Sequence, residues 1–83
     1  MVAIIYSTVE NVECAKNIAQ HLLEEKLVAC VNIIPNIQSM YRWKGKIEED
    51  NECILLAKTV DEQVKDAISK IKEFHAGKDK KDK

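Results

Sequence analysis

The order of hydrophobic and polar positions along the chain predicts five elements in the sequence βαββα. Residues 2–8 are apolar or β-branched almost without interruption, which is typical of a strand covered on both faces. Residues 11–26 carry apolar side chains at three- and four-residue spacing, which indicates an amphipathic helix. Residues 27–43 and 47–59 favour two long strands, and residues 60–75 repeat the helical spacing. One further strand would complete the split βαβ pattern of a ferredoxin-like α+β sandwich, βαββα(β), and the sequence ends before it.

The two long strands predict a hairpin whose arms exceed the usual length of about 5–6 residues. Gly45 in the connecting Lys-Gly-Lys turn can adopt positive φ, and Pro35, which cannot donate to a ladder, marks a bulge, a bend or an unpaired edge. Beyond Pro35, alternation places Ser39, Tyr41 and Trp43 on one face. A ribbon of this length is unstable alone in water, so something must cover it, and we predict that Tyr41 and Trp43 lie in an interface.

Helix ends are also indicated by the sequence. Asn11 is a candidate N-cap for the first helix. Thr59 and Glu62 match the Ser/Thr-x-x-Glu capping box of the second, which we expect to end near His75 with Gly77 as its stop. We assign residues 1–77 to a single domain and expect the all-charged run 78–83 to be a disordered tail.

Composition narrows the functional classes. The chain has 83 residues and a net charge of −1, so it lacks the basic balance expected of a nucleic-acid-binding protein. No apolar stretch approaches the roughly 20 residues that span a bilayer. Three cysteines without paired spacing, and an N-terminus that does not resemble a signal peptide, favour reduced thiols in the cytoplasm. So short a chain has a marginal core of its own, which favours self-association.

Candidate metal ligands lie on the predicted second arm of the hairpin. Glu48, Asp50 and Glu52 are two residues apart, so a regular strand presents them on one face, where three carboxylates and an imidazole could hold a divalent cation. A solvated strand face explains the same spacing. His75, at a helix end, is either a ligand or an ordinary polar terminus, and the cysteines fit best as small buried hydrophobic residues.

Residues 22–59, LLEEKLVACVNIIPNIQSMYRWKGKIEEDNECILLAKT, resemble the central signature of the CutA divalent-cation tolerance family. The family pattern E-x-L-x-A-C-x-N-I-x-P is followed by S-x-Y-x-W-x-G-K-I-x-E-x-x-E and a Lys-Thr strand end. The matching positions here include Cys30, Pro35, Tyr41, Trp43 and Glu52. Such a dense match over one continuous segment is specific, and the preceding strand and helix fit it too.

The resemblance implies a ferredoxin-like subunit in a tight homotrimer, with the long hairpins joining sheets across subunits. It also implies binding of copper or related ions, with Glu52 and the histidine corresponding to His75 as the ligands used by some members. Two departures stand out. Ser7 occupies a position where some bacterial members have cysteine. After the second helix the family continues with H-P-Y-x-x-P-E, a fourth strand and a terminal helix, whereas here His75-Ala76-Gly77 is followed by the charged run, and only His75 matches that motif.

We therefore expect a homotrimeric, metal-binding or metal-responsive protein that is not an enzyme. Two ligands, Glu52 and His75, suit Cu²⁺ or Zn²⁺ bound weakly, since the soft thiolate that favours Cu⁺ is replaced by Ser7. A regulatory or scaffold trimer that binds a small molecule or a protein remains an alternative. An acylphosphatase-like enzyme is a weaker one, because the chain has no phosphate-cradling loop.

Overall fold

The chain folds as an α+β sandwich with the ferredoxin-like order βαββα, as the sequence predicts. The structure, a computed structural model, describes residues 1–81, with side chains described as far as His75. Its elements are β1 (Val2–Val9), α1 (Val12–Glu24), β2 (Cys30–Trp43), β3 (Lys46–Val60) and α2 (Asp61–Lys81). The strands form an antiparallel sheet in the order β1-β3-β2, so β3 is hydrogen-bonded on both sides.

Both helices cover the same face of this sheet. Alternation along β3 directs Cys53, Leu55, Ala57 and Thr59 toward the helices, and all four are buried. Leu55 and Leu22 of α1 are the largest fully buried side chains. The opposite face of β1 is open among the described residues, with Ile4 64% and Tyr6 62% exposed. The core is therefore a single layer between the helices and one face of the sheet.

Helix α1 is closed at both ends by local hydrogen bonds. The Asn11 side chain accepts a hydrogen bond from the Cys14 amide at 2.8 Å, which confirms the predicted N-cap. At the other end the Leu27 amide donates to the Leu22 carbonyl at 2.9 Å, and the Lys26 amide donates to the Leu23 carbonyl at 3.1 Å. This is the Schellman pattern. It places Lys26 at φ +59°, a left-handed conformation that glycine usually occupies.

The hairpin is built as predicted, with a tight turn and a bulge. Lys44 and Gly45 connect the paired residues Trp43 and Lys46, and both have positive φ (52° and 77°), as a type I′ turn requires. Ile34 pairs with Ile54 and Ile37 with Glu52, so two residues of β2 oppose one of β3. Pro35 therefore marks a β-bulge, and the next residue, Asn36, has φ +60°.

The predicted role of Thr59 was wrong. Thr59 is in β3, and its hydroxyl donates to the Leu27 carbonyl at 2.7 Å instead of capping α2. The side chain is 4% exposed, so the hydrogen bond ties β3 to the segment between α1 and β2. The tertiary contact replaces the local cap that the sequence motif indicated.

Helix α2 also extends past the end predicted near His75, reaching Lys81. The expected disorder of residues 78–83 stays a prediction, because their side chains, and residues 82–83 altogether, lie outside what the structure describes. Within the described part of the chain, no helix is long and apolar enough to cross a membrane.

Candidate functional site

The part of the hairpin beyond the bulge, residues 37–52, is the main candidate surface, and we call it the ribbon. None of the residues of the ribbon is buried, and the first buried position of β3 is Cys53. Several of its large apolar side chains are open to solvent: Met40 (64%), Trp43 (58%), Ile47 (69%) and Tyr41 (43%). A two-stranded ribbon with this much exposed apolar surface has little stability of its own.

Tyr41 and Trp43 share one face of the ribbon, as predicted. Their cross-strand partners are Glu48 and Lys46 respectively. The Lys44 ammonium lies 5.7 Å from the centre of the Trp43 ring, a distance that permits a cation–π contact. The interface role of the two aromatic residues stays a prediction, since the structure contains one chain.

The predicted row of carboxylates is present on the same face. Glu48, Asp50 and Glu52 alternate along β3 opposite Tyr41, Ser39 and Ile37. The Tyr41 hydroxyl donates to Asp50 Oδ2 at 2.7 Å. That hydrogen bond, with smaller contributions from desolvation and the neighbouring carboxylates, raises the pKa of Tyr41 above its usual value.

Glu52 has a hydrogen-bond partner that the sequence analysis did not identify. The Ser39 hydroxyl donates to Glu52 Oε1, diagonally across the two strands. The spacing could have indicated it, because diagonal neighbours on one face of a hairpin are within reach of each other. The hydrogen bond positions this carboxylate and leaves its other oxygen available.

Within one chain, Glu52 and His75 lie on opposite sides of the sheet. Glu52 alternates with buried Cys53 and so points away from the helices, whereas the exposed His75 belongs to α2. Among the described residues, no group of three or more His, Cys, Asp or Glu side chains could hold a metal ion. Glu52 and His75 therefore do not form one metal site within a single chain.

A second surface lies where α1 and α2 meet, and no pattern in the sequence points to it. The His21 ring packs edge-on against Phe74, with ring centres 5.0 Å apart. Lys70 pairs with Glu25 at 3.2 Å and with Glu73 at 3.5 Å. An open hollow of about 280 Å³ is lined by His21, Lys70, Glu73 and Phe74. His21 Nδ1 lies 2.8 Å from the Asn17 carbonyl oxygen and can donate to it. The His21–Phe74 contact and the Lys70–Glu25 ion pair join α1 and its C-terminal cap to α2.

The thiols follow the packing prediction in part. Cys53 is buried, whereas Cys14 and Cys30 are half-buried, and all three are free. Cys53 is a small apolar residue of the core, as expected.

Fold and surface together define a small ferredoxin-like α+β protein with a projecting, exposed β-ribbon. Comparison with known proteins identifies its family. The family model described as "CutA1 divalent ion tolerance protein" matches residues 3–78. This chain belongs to the CutA1 divalent ion tolerance family.

Individual relatives agree with the family model. The chain is 47% identical over 70 residues to "Protein CutA homolog" of Xenopus laevis, a match that covers 84% of this chain and 46% of the relative. It is 41% identical over 75 residues to "Divalent-cation tolerance protein CutA" of Thermus thermophilus, covering 90% of this chain and 73% of the relative. The chain thus spans less than half the length of some relatives.

Solved structures show the same fold. The divalent cation tolerance protein Cut A1 of Thermus thermophilus superposes with a TM-score of 0.83 at 40% identity, covering 89% of this chain and 72% of that one. A CutA of Archaeoglobus fulgidus, described as a periplasmic divalent cation tolerance protein, superposes with a TM-score of 0.84 at 42% identity and the same coverage. The ferredoxin-like arrangement of the described elements is therefore that of CutA1 structures.

Proposed function

We propose that this chain is a homotrimeric protein that binds divalent cations and acts in the response to metal ions, and that it is not an enzyme. The observation that carries the proposal is the ribbon. It exposes Met40, Tyr41, Trp43 and Ile47 on strands that nothing else in the described chain covers. A neighbouring copy that packs on the ribbon would bury these side chains and stabilise both strands.

Sedimentation velocity of the unmodified chain tests the assembly. We expect a trimer, and we expect Trp43→Ala to weaken association by about 2 kcal/mol or more, since buried interface aromatics often contribute that much. Ile68→Ala is a matched control, because Ile68 is an exposed apolar residue on α2, away from the ribbon. A folded monomer at all accessible concentrations of the unmodified chain would refute the proposal.

The metal site that we propose pairs Glu52 of one chain with His75 of another. This arrangement is supported by the separation of the two residues within one chain and by the free oxygen of Glu52. Two protein ligands of oxygen and nitrogen type are compatible with Cu²⁺ or Zn²⁺ and are too few for tight binding. We expect a dissociation constant no better than about 1 µM, which corresponds to about −8 kcal/mol.

Calorimetric titration of Cu²⁺ and Zn²⁺ tests this site. We expect His75→Ala and Glu52→Gln each to abolish or strongly weaken binding, and binding to weaken as protons compete for the imidazole. His21→Ala is the control for nonspecific loss of a histidine. Unchanged affinity in His75→Ala would remove His75 from the site and leave the carboxylates of β3 as candidates.

A regulatory or scaffold trimer is the second candidate function. It is favoured by one observation: no group of three metal-ligating side chains converges among the described residues. An assembly that forms identically with and without metal, and whose metal affinity does not depend on Glu52 or His75, would support this alternative. In either case we propose that the protein is cytoplasmic, a placement that its three free thiols support. Cell fractionation tests that placement.

A further inference from the structure

Charge is segregated along the ribbon. Three cations, Arg42, Lys44 and Lys46, surround the turn, and we call them the cationic tip. Four carboxylates follow within five residues of β3, namely Glu48, Glu49, Asp50 and Glu52, and we call them the acidic stem. The tip is exposed, and the stem is exposed or half-buried. Both signs of charge therefore lie at the surface, but in separate blocks.

The two blocks form no ion pair with each other within one chain. Among the described residues, no ion pair involves the cationic tip, and the Lys44 ammonium lies 5.7 Å from the centre of the Trp43 ring. The side-chain hydrogen bonds that the acidic stem accepts come from neutral donors: Gln38 to Glu49, Tyr41 to Asp50 and Ser39 to Glu52. These hydrogen bonds hold the carboxylates in place without cancelling their charge.

Opposite charges of the two blocks come close to each other at the boundary between them. Lys46 and Glu48 are two residues apart on one face of β3, roughly 7 Å, and Arg42 and Glu49 are diagonal neighbours on the other face. Among the described residues, no ion pair joins the two blocks. The side chains of both blocks are therefore open to a charged partner from another molecule.

We propose that the cationic tip of one copy docks against the acidic stem of a second copy, so that charge complementarity sets the stagger between neighbouring ribbons. This inference rests on the proposed homo-oligomer and specifies how its copies are aligned. A stagger that brings like-charged blocks together costs association energy, whereas the apolar side chains alone would permit several staggers. A head-to-tail contact of this kind closes into a ring when the rotation between copies allows it.

The test measures association of the full-length chain by sedimentation at about 0.1 M and 1 M NaCl, where the Debye length is about 10 Å and 3 Å respectively. Three variants reverse the charges of the tip and the stem: Lys44→Glu, Asp50→Lys, and both changes in one chain. Lys65→Glu on α2 is the control for the change in net charge that Lys44→Glu makes. Tyr41→Phe is the control for the hydrogen bond that Asp50→Lys removes. Circular dichroism confirms that each variant folds.

We expect each single reversal to weaken association about tenfold or more relative to its control at low salt, since like charges would then face each other. The doubly reversed chain should regain most of this loss, because the pair is restored with opposite signs. Association of the unmodified chain should weaken at high salt. If the unmodified chain is monomeric, the proposed assembly fails and this inference fails with it. If the chain assembles but the reversals behave like their controls, only the inference is overturned.

Discussion

Replacing Thr59 tests how β3 is joined to the segment between α1 and β2. The Thr59 hydroxyl donates to the Leu27 carbonyl at 2.7 Å from a side chain that is 4% exposed. Thr59→Val keeps the side-chain volume but removes the hydroxyl donor, so the Leu27 carbonyl loses one hydrogen-bond partner. The free energy of unfolding should fall by about 1–3 kcal/mol. Thr59→Ser keeps the donor and loses one methyl group, so we expect a cost of about 1 kcal/mol.

Thr59→Asn distinguishes this structure from the capping interpretation. Asparagine is among the best N-cap residues, so a capping Thr59 would tolerate it with a change of less than about 0.5 kcal/mol. At a buried strand position, the larger amide must instead be accommodated with unmatched polar atoms. The expected cost is then about 2 kcal/mol or more.

Urea unfolding followed by circular dichroism gives the free energies of unfolding from the midpoints and slopes. Protein concentration must be held fixed, because association contributes to apparent stability. The expected order of stability is the unmodified chain, then Ser, then Val and Asn. An Asn variant as stable as the unmodified chain would contradict the tertiary role of this hydroxyl.

Three further predictions follow from local geometry. Lys26→Gly should raise the free energy of unfolding by up to about 1 kcal/mol, since it removes the cost of a left-handed non-glycine residue, and a loss in urea unfolding would count against the Schellman end. Asn11→Ala should lower it by about 1 kcal/mol while Asn11→Asp should be nearly neutral, which the same assay checks. In a Tyr6→Phe background, ultraviolet pH titration should show Tyr41 ionising above its usual range, with Asp50→Asn bringing the pKa back down. Because the folded-state pKa is raised, stability should be unaffected well below pH 10 and should fall as pH rises through the range between the ordinary and raised values.

Most of the architecture could be predicted from the sequence because hydrophobic period and turn chemistry agree along the chain. The apolar stripe of α1, the Asn11 cap, the Gly45 turn and the interruption at Pro35 are all local signals, and each matches the structure. Thr59 was misassigned for the same reason, since its motif is local and its actual partner is 32 residues away. The end of α2 was misplaced because Gly77 permits a stop but does not enforce one.

The candidate site was only partly predictable. Alternation correctly placed Glu48, Asp50 and Glu52 on one face, and the structure adds the neutral donors that hold two of them. The sequence could not show that Glu52 and His75 point to opposite sides of the sheet, because that depends on which face the helices cover. The contact between His21 and Phe74 likewise depends on how two helices pack, which no local pattern specifies.

The bulge at Pro35 and Asn36 gives the chain an unusual tolerance to a change in length. Removing one of these two residues would leave one residue of β2 opposite one of β3, so every cross-strand partner from Ile37 to the turn would be retained. The local bend and extra twist would be lost, because they belong to the additional residue. A deletion here should therefore leave the subunit folded while re-aiming its ribbon, which makes this site a means of altering quaternary geometry without redesigning the fold.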